Sequence, residues 1–204
     1  MGRGIEGEDS LRRWCALALL AVAALGGCSK QETDWPRRFS VVTPGVLLRS
    51  ALPTVAHLRT LKKHHDVKTV VALLNWRDLK RHPEVAAARE FAEKNGIHHV
   101  HLALGFPTDD QIRQFLEIVA NPANRPVLVH CEQGEVRTGL MVAMHRMEHE
   151  GWPNERAYSE MLANNFDPTD RHQRIVRFIQ DYKPRADHRG NAVPTPYVGG
   201  GVWE

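Results

Sequence analysis

Pro126-Val127-Leu128-Val129-His130 is apolar but for its last residue, and only a short polar loop separates it from a helical pattern. An apolar, β-branched run of this length reads as a buried strand. Beyond the loop, Leu140, Ala143, Met144 and Met147 recur on one side of a helix, so the connection has room for a single tight turn. A strand, a tight turn and a helix N-terminus together make an anion cradle, because backbone N–H groups and the helix dipole converge on one spot. Gly134 allows the backbone conformation that such a turn needs.

The remaining patterns place this unit in an α/β fold. Val67–Leu74 is a second short apolar run, and Val100, Leu102 and Leu104 alternate with other residues as in a third strand. Glu84–Lys94 is Ala-rich and stops before Gly96. Ile112, Phe115, Leu116 and Val119 mark one face of a helix, with Thr108 and Gln111 at capping-box spacing before it. Two more helices are predicted at 154–164 and 170–182, the latter with Ile175, Phe178, Ile179 and Tyr182 at helical spacing. Strands alternating with helices give one domain, residues 41–182, with a central, mostly parallel sheet flanked by helices. Ligands of such sheets bind beyond the carboxyl ends of the strands, where the loop after His130 lies. Trp76, Arg77 and Asp78 are expected at a strand end, either on the pocket rim or in packing. Residues 183–204, with three prolines and four glycines, are expected to be a flexible tail.

The amino terminus reads as an address. Arg12 and Arg13 precede an apolar run, Trp14–Leu25, too short to span a bilayer as a mature helix. The run ends in Leu25-Gly26-Gly27-Cys28, which resembles a bacterial lipobox, in which the cysteine is lipidated after cleavage before it. The expectation is a signal peptide over residues 1–27, a lipid anchor on Cys28 and a polar tether over 28–40. The alternative is a plain export signal with Cys28 incidental. By the same resemblance, Ser29 points to the outer rather than the inner membrane, with the domain on the periplasmic face. Of the three cysteines, Cys15 would leave with the signal and Cys28 would become a thioether, so Cys131 would be the one free thiol. A formal charge of only +3, with scattered Lys and Arg, gives no footprint for nucleic acid. His145 and His149 stand at i, i+4 without an evident third ligand, so they are expected on a solvated helix face rather than at a metal. His98, His99 and His101 are expected on the exposed side of a strand or its loop.

Inside the cradle stand a nucleophile and a clamp. A thiol in the field of a helix N-terminus favours its reactive thiolate form, which assigns Cys131 as nucleophile. Arg137, six positions on, can fork two hydrogen bonds to phosphate oxygens in a way that Lys cannot. His130-Cys131, five residues, then Arg137-Thr138-Gly139, with Gly134 between, resembles the signature of protein tyrosine and dual-specificity phosphatases. The resemblance extends to Leu48-Arg49-Ser50-Ala51-Leu52-Pro53 and Gly151-Trp152, which are similar to segments of bacterial exported dual-specificity members, and so covers residues 45–165.

That resemblance implies a set of roles. Cys131 attacks phosphorus to form a cysteinyl phosphate, while Arg137 and the backbone of Glu132, Gln133, Gly134, Glu135 and Val136 hold the equatorial oxygens. His130 lies under the loop, supporting its shape and the thiolate, and Thr138 donates to the sulfur. No metal or organic cofactor is implied, because protein donors meet the phosphate charge. The family also uses an aspartate as general acid, help worth ~10²–10⁴-fold. Gly105-Phe106-Pro107-Thr108-Asp109-Asp110 loosely resembles the loop that carries it, with Asp109 the first candidate and Asp110 the second. Both also suit a first helical turn electrostatically, so neither being the acid stays open. The expected substrates are phosphotyrosine, or phosphoserine and phosphothreonine, in a phosphorylated protein or a small phosphomonoester. The alternatives are a non-catalytic phospho-binding lipoprotein and a sulfurtransferase. Relatives acting on inositol phosphates carry basic residues where this loop has Glu132 and Glu135, so polyanions are expected to be repelled.

Overall fold

Thr69–Ala72 (TVVA) and Val127–His130 (VLVH) are buried at every position, as strands covered on both faces must be. In the computed structural model, which describes residues 34–185, they form the middle of a five-stranded sheet. The strands are β1 (Ser40–Thr43), β2 (Leu47–Ser50), β3 (Thr69–Ala72), β4 (His98–His101) and β5 (Val127–His130), in the order β1-β2-β5-β3-β4. Only the β1–β2 pair is antiparallel. Ser50, Ala72 and His130 lie side by side in register, so the carboxyl ends of the three inner strands open at one place.

Alternation along the strands builds a core on each face. Leu48, Val70 and Leu128 pack under α1 (Val55–His65) and α3 (Val85–Lys94), with Leu58, Leu61, Ala88 and Ala92. Leu47, Val71, Val127 and Val129 point the other way, toward α4 (Asp109–Ala120), α5 (Val136–His149), α6 (Asn154–Ala163) and α7 (Gln173–Gln180). A short helix, α2 (Trp76–Arg81), follows β3. The expected capping box at Thr108 and Gln111 is formed. The single α/β domain with a mostly parallel sheet is the fold predicted.

Several boundaries differ. The third predicted strand lies earlier, at His98–His101, and Leu102 and Leu104 are buried beyond it. Trp76, Arg77 and Asp78 begin a helix rather than end a strand, because Asn75 caps it with hydrogen bonds from the Arg77 and Asp78 N–H groups. The domain starts before residue 41: Trp35 stacks on Phe39 at 4.8 Å, and both pack on the α1 side of the core. Past Gln180, the Glu148 carboxylate accepts from the Tyr182 hydroxyl and the Arg185 N–H, so residues 183–185 are tied to α5. The signal, Cys28, the first part of the tether and residues 186–204 lie outside the described residues.

The histidines are more buried than expected. His145 is 3% exposed, with Nδ1 3.1 Å from Nδ1 of His149 and Nε2 3.2 Å from the Thr43 hydroxyl. Its place on a solvated face is corrected, because strand β1 and Glu150 close over that side of α5. His101 Nε2 donates to the Leu74 carbonyl at 2.6 Å, and His99 is half-buried in β4. Among the described residues no group of three His, Cys, Asp or Glu side chains is arranged to hold a metal.

Burial pushes His145 and His99 down to about 4 and His130 to about 3. These rings are neutral in the fold, whereas in the unfolded chain they take up protons below roughly pH 6.5. Their contribution is therefore complete above pH 6.5 and is lost as pH falls toward 4, at roughly 1.4 kcal/mol per pH unit for each fully buried ring. His82, raised by Glu132 and Glu84, opposes this with a single group. Urea unfolding at pH 7.5 and pH 5 should show a midpoint that falls markedly with acid, and His145→Gln should flatten that slope.

Candidate active site

The loop from Cys131 to Glu135 is seated on the end of β2. Gly134 has φ +75°, and a Cβ there would come within 2.6 Å of the Ala51 nitrogen and 2.8 Å of the Ser50 carbonyl. Glycine is required twice over, by conformation and by contact. The seat is closed by hydrogen bonds: Leu52 N–H to the Glu132 carbonyl (3.2 Å), Leu73 N–H to the His130 carbonyl (2.8 Å) and Arg49 Nη2 to the Gly134 carbonyl (2.7 Å). Cys131, 2% exposed, lies at its base, and the Gly134 N–H donates to Sγ at 3.2 Å. His130 lies against the loop: its Nδ1 faces the Cys131 carbonyl at 3.4 Å and must therefore carry the hydrogen. Burial keeps that ring neutral, so it brings no charge to the sulfur. Thr138 is fully buried, but its hydroxyl makes no hydrogen bond, and the expected donation to the sulfur is not formed.

Arg137, in the first turn of α5, is fixed from a different strand. Its Nη1 donates to the Leu73 carbonyl at 2.8 Å and pairs with the Asp78 carboxylate. Asp78 is buried in the first turn of α2, where it also accepts from the Asn75 N–H at 2.8 Å and from Arg81 at 2.7 Å. Burial pushes its carboxyl up, but Arg137, the Asn75 N–H and Arg81 more than reverse this and hold it at about 2. Asp78 is thus an anion at any working pH, placed to aim the guanidinium rather than to give a proton.

Around Cys131 and Arg137 opens a cleft of about 970 Å³. Trp76, 68% exposed, stands on its lining, with Arg77, Lys80 and Arg171. The two loop acids are not free charges. Glu132 accepts from Arg81 at 2.8 Å and faces His82 Nε2 at 3.0 Å, while Glu135 pairs with Arg38. Gln133 accepts from Arg37 at 3.1 Å through its side chain, and Val136 lines the cleft. With each carboxylate matched by a cation, the charge argument against polyanionic substrates loses its premise.

The proposed acid is not brought to this cleft. Asp109 has a side chain 89% exposed, faces Arg185 at 3.4 Å, and lines a separate hollow with Phe106, Phe178 and Tyr182. Asp110 pairs with Arg113 at 2.7 Å. Phe106 packs edge-on against Phe178 of α7 at 5.3 Å, which draws this loop away from the sulfur and leaves Leu104 and Gly105 on the cleft wall. Both aspartates serve the first turn of α4, and the assignment of Asp109 is corrected. The residues the motif did not point to are Asp78 and Arg49, which act on the loop from 59 and 85 positions away. The only signals for them were the Asn75/Asp78 capping spacing and the Leu48–Pro53 segment.

Asp78→Asn keeps the shape but weakens the hold on Arg137. Turnover of para-nitrophenyl phosphate should fall roughly 10- to 100-fold in kcat/KM, as for a misplaced catalytic group, with the circular dichroism spectrum unchanged.

Residues 40–177 match the family model described as a DSP-PTPase phosphatase fused to NAD+ kinase. The dual specificity protein phosphatase TpbA of Pseudomonas aeruginosa strain UCBPP-PA14 is 31% identical over 179 residues, which is 77% of this chain and 75% of that protein. The inositol diphosphatase DSP4 of Arabidopsis thaliana is 31% identical over 119 residues, 54% of this chain and 56% of that one. Among solved structures, a cysteine-to-serine form of P. aeruginosa TpbA in complex with pTyr superposes with a TM-score of 0.55 at 24% identity, over 74% of this chain and 96% of that one. With residues 40–177 matched by the family model and a 31% identical relative aligned over 77% of its length, the chain belongs to the DSP-PTPase family of cysteine-dependent dual-specificity protein phosphatases.

Proposed function

We propose that the preferred substrates are aryl phosphomonoesters of the phosphotyrosine kind, cleaved through a phosphate held on Cys131. The observation that carries this reading is the state of the cleft's carboxylates. Of the four carboxylates that line the cleft, Asp78, Glu132 and Glu135 are bound to Arg137, Arg81 and Arg38, which leaves Asp167, and the Asp109 loop brings no acid to it. A leaving group that departs with little proton help is then favoured, and a phenol departs far more readily than an alkyl alcohol. Trp76 on the cleft lining offers a flat partner for such a ring.

Attack by Sγ places new charge on the equatorial oxygens. The loop N–H groups and the Arg137 fork receive it without rearranging, since Gly134 and Asp78 already fix them. Water then releases phosphate from the sulfur. None of these steps calls on a cofactor.

A second reading is a diphosphate on a polyanion such as an inositol. Phosphate is also a good leaving group, the loop acids are neutralised, and Arg77, Lys80 and Arg171 line the cleft. The likeness to an inositol diphosphatase fits this reading too.

Phosphotyrosine and phosphoserine forms of one peptide, and an inositol pyrophosphate, separate these readings. The phosphotyrosine peptide should exceed the phosphoserine peptide by about 100-fold or more in kcat/KM, and Cys131→Ser should abolish both. Faster turnover of the inositol pyrophosphate would select the second reading. Binding of phosphopeptide without turnover by the wild type would select a phospho-binding role.

The chain is further proposed to be an exported lipoprotein held through Cys28 on the periplasmic face of the outer membrane. This rests on the apolar run Trp14–Leu25 and the Leu25–Cys28 motif. Mass spectrometry of the mature amino terminus should find an acylated Cys28; an intact Met1 would overturn it.

A further inference from the structure

Arg49 stands in β2, opposite Val129 of β5, with its side chain on the same face as Leu47 and Val129. It is 2% exposed. One of its nitrogens, Nη2, donates to the Gly134 carbonyl at 2.7 Å; Nε and Nη1 are buried without a hydrogen-bond partner. A Cβ on Gly139 would lie 3.9 Å from Nη2, so the guanidinium sits directly against the first turn of α5. No carboxylate among the described residues is within ion-pairing distance. Glu160 of α6 is the nearest in influence, and it is already claimed by three hydrogen bonds from Arg146.

A buried cation in this condition is unfavourable unless a counter-charge is supplied. Burial accordingly pushes the guanidinium down from its ordinary value, while two groups, Glu160 and Cys131, pull it back and Arg146 opposes them. Of the two, Cys131 stands two residues after Val129, the β5 neighbour of Arg49, and among the described residues its sulfur accepts only from the Gly134 N–H. Arg137, the other cation of the loop, is held through Nη1 by Asp78 and the Leu73 carbonyl and faces the cleft, and His130 is neutral. Arg49 also holds Gly134, the residue whose N–H donates to the sulfur.

We propose that Arg49 is a positioning residue with two tasks: it locks the phosphate loop through the Gly134 carbonyl, and it is the buried counter-charge of the Cys131 thiolate. Arg137 faces the incoming phosphate from within the cleft, whereas Arg49 acts from beneath, where no substrate reaches. This division lets Arg137 be taken up by substrate oxygens without leaving the sulfur unsupported. It does not depend on which phosphomonoester is the substrate.

The test compares wild type, Arg49→Met and Arg49→Lys by the rate of iodoacetamide alkylation of Cys131 at pH 6 and pH 9, with substrate absent. Arg49→Met removes the charge and keeps an apolar stem, a change that buried sites often tolerate. It should alkylate about 10-fold more slowly than wild type at pH 6 and within about 2-fold of it at pH 9. Arg49→Lys should restore most of the rate at pH 6. Turnover of para-nitrophenyl phosphate should fall in kcat more than it rises in KM in Arg49→Met. A purely structural role would change alkylation by the same factor at both pH values, and that result in a folded variant overturns the proposal. If Arg49→Met does not fold, Arg49→Lys decides: a folded Lys variant that has lost its reactivity at pH 6 overturns it, and one that keeps it supports it.

Discussion

Gly134 rests on the backbone of Ser50 and Ala51 so closely that no side chain fits between them. This contact joins the loop after β5 to the end of β2, and the Leu73 N–H joins its first residue to the end of β3. The loop is therefore not a flexible connection but a third layer across the ends of three parallel strands. Its backbone is fixed before any ligand arrives, which is the condition under which fixed dipoles stabilise developing charge most. The helix that follows, with ten of its fourteen residues buried, holds the loop from the other side.

Charge is arranged around this seat in pairs that cross the fold. Arg137 is tied to Asp78, Glu132 to Arg81 and His82, and Glu135 to Arg38. Arg81 touches both Asp78 and Glu132, so α2, the clamp and the loop form one network. The acidic look of the loop in one dimension thus disappears in three. Arg49 is the exception, a buried cation held by a single hydrogen bond to the loop, and the exception lies beneath the nucleophile.

What could be read from the chain follows the range of the interactions. Cys131, Arg137 and the glycine that shapes their loop fall within seven residues, and the strand and helix on either side carry strong patterns. Thr108 and Gln111 form their cap because a cap is local. Asp78 looks like part of a strand end in the sequence because α2 has only six residues, too few to show a helical period. The strands β1 and β2 have four residues each, and β2 is buried throughout without alternation, so neither announces itself. The Asp109 assignment failed for a tertiary reason: Phe106 is captured by Phe178 and Arg174 of α7, some seventy residues on, a contact that local spacing cannot show. His145 likewise became a core residue only when β1 and Glu150 covered it.

The proposed function has one direct consequence: phosphate passes through a bond to Cys131. Rapid acid quenching of the wild-type protein with a radiolabelled phosphotyrosine peptide, followed by peptide mapping, tests this directly. The account predicts label on the fragment containing Cys131, appearing before free phosphate and lost on a chase with unlabelled substrate. Steady turnover with no label on that fragment at any time would contradict it.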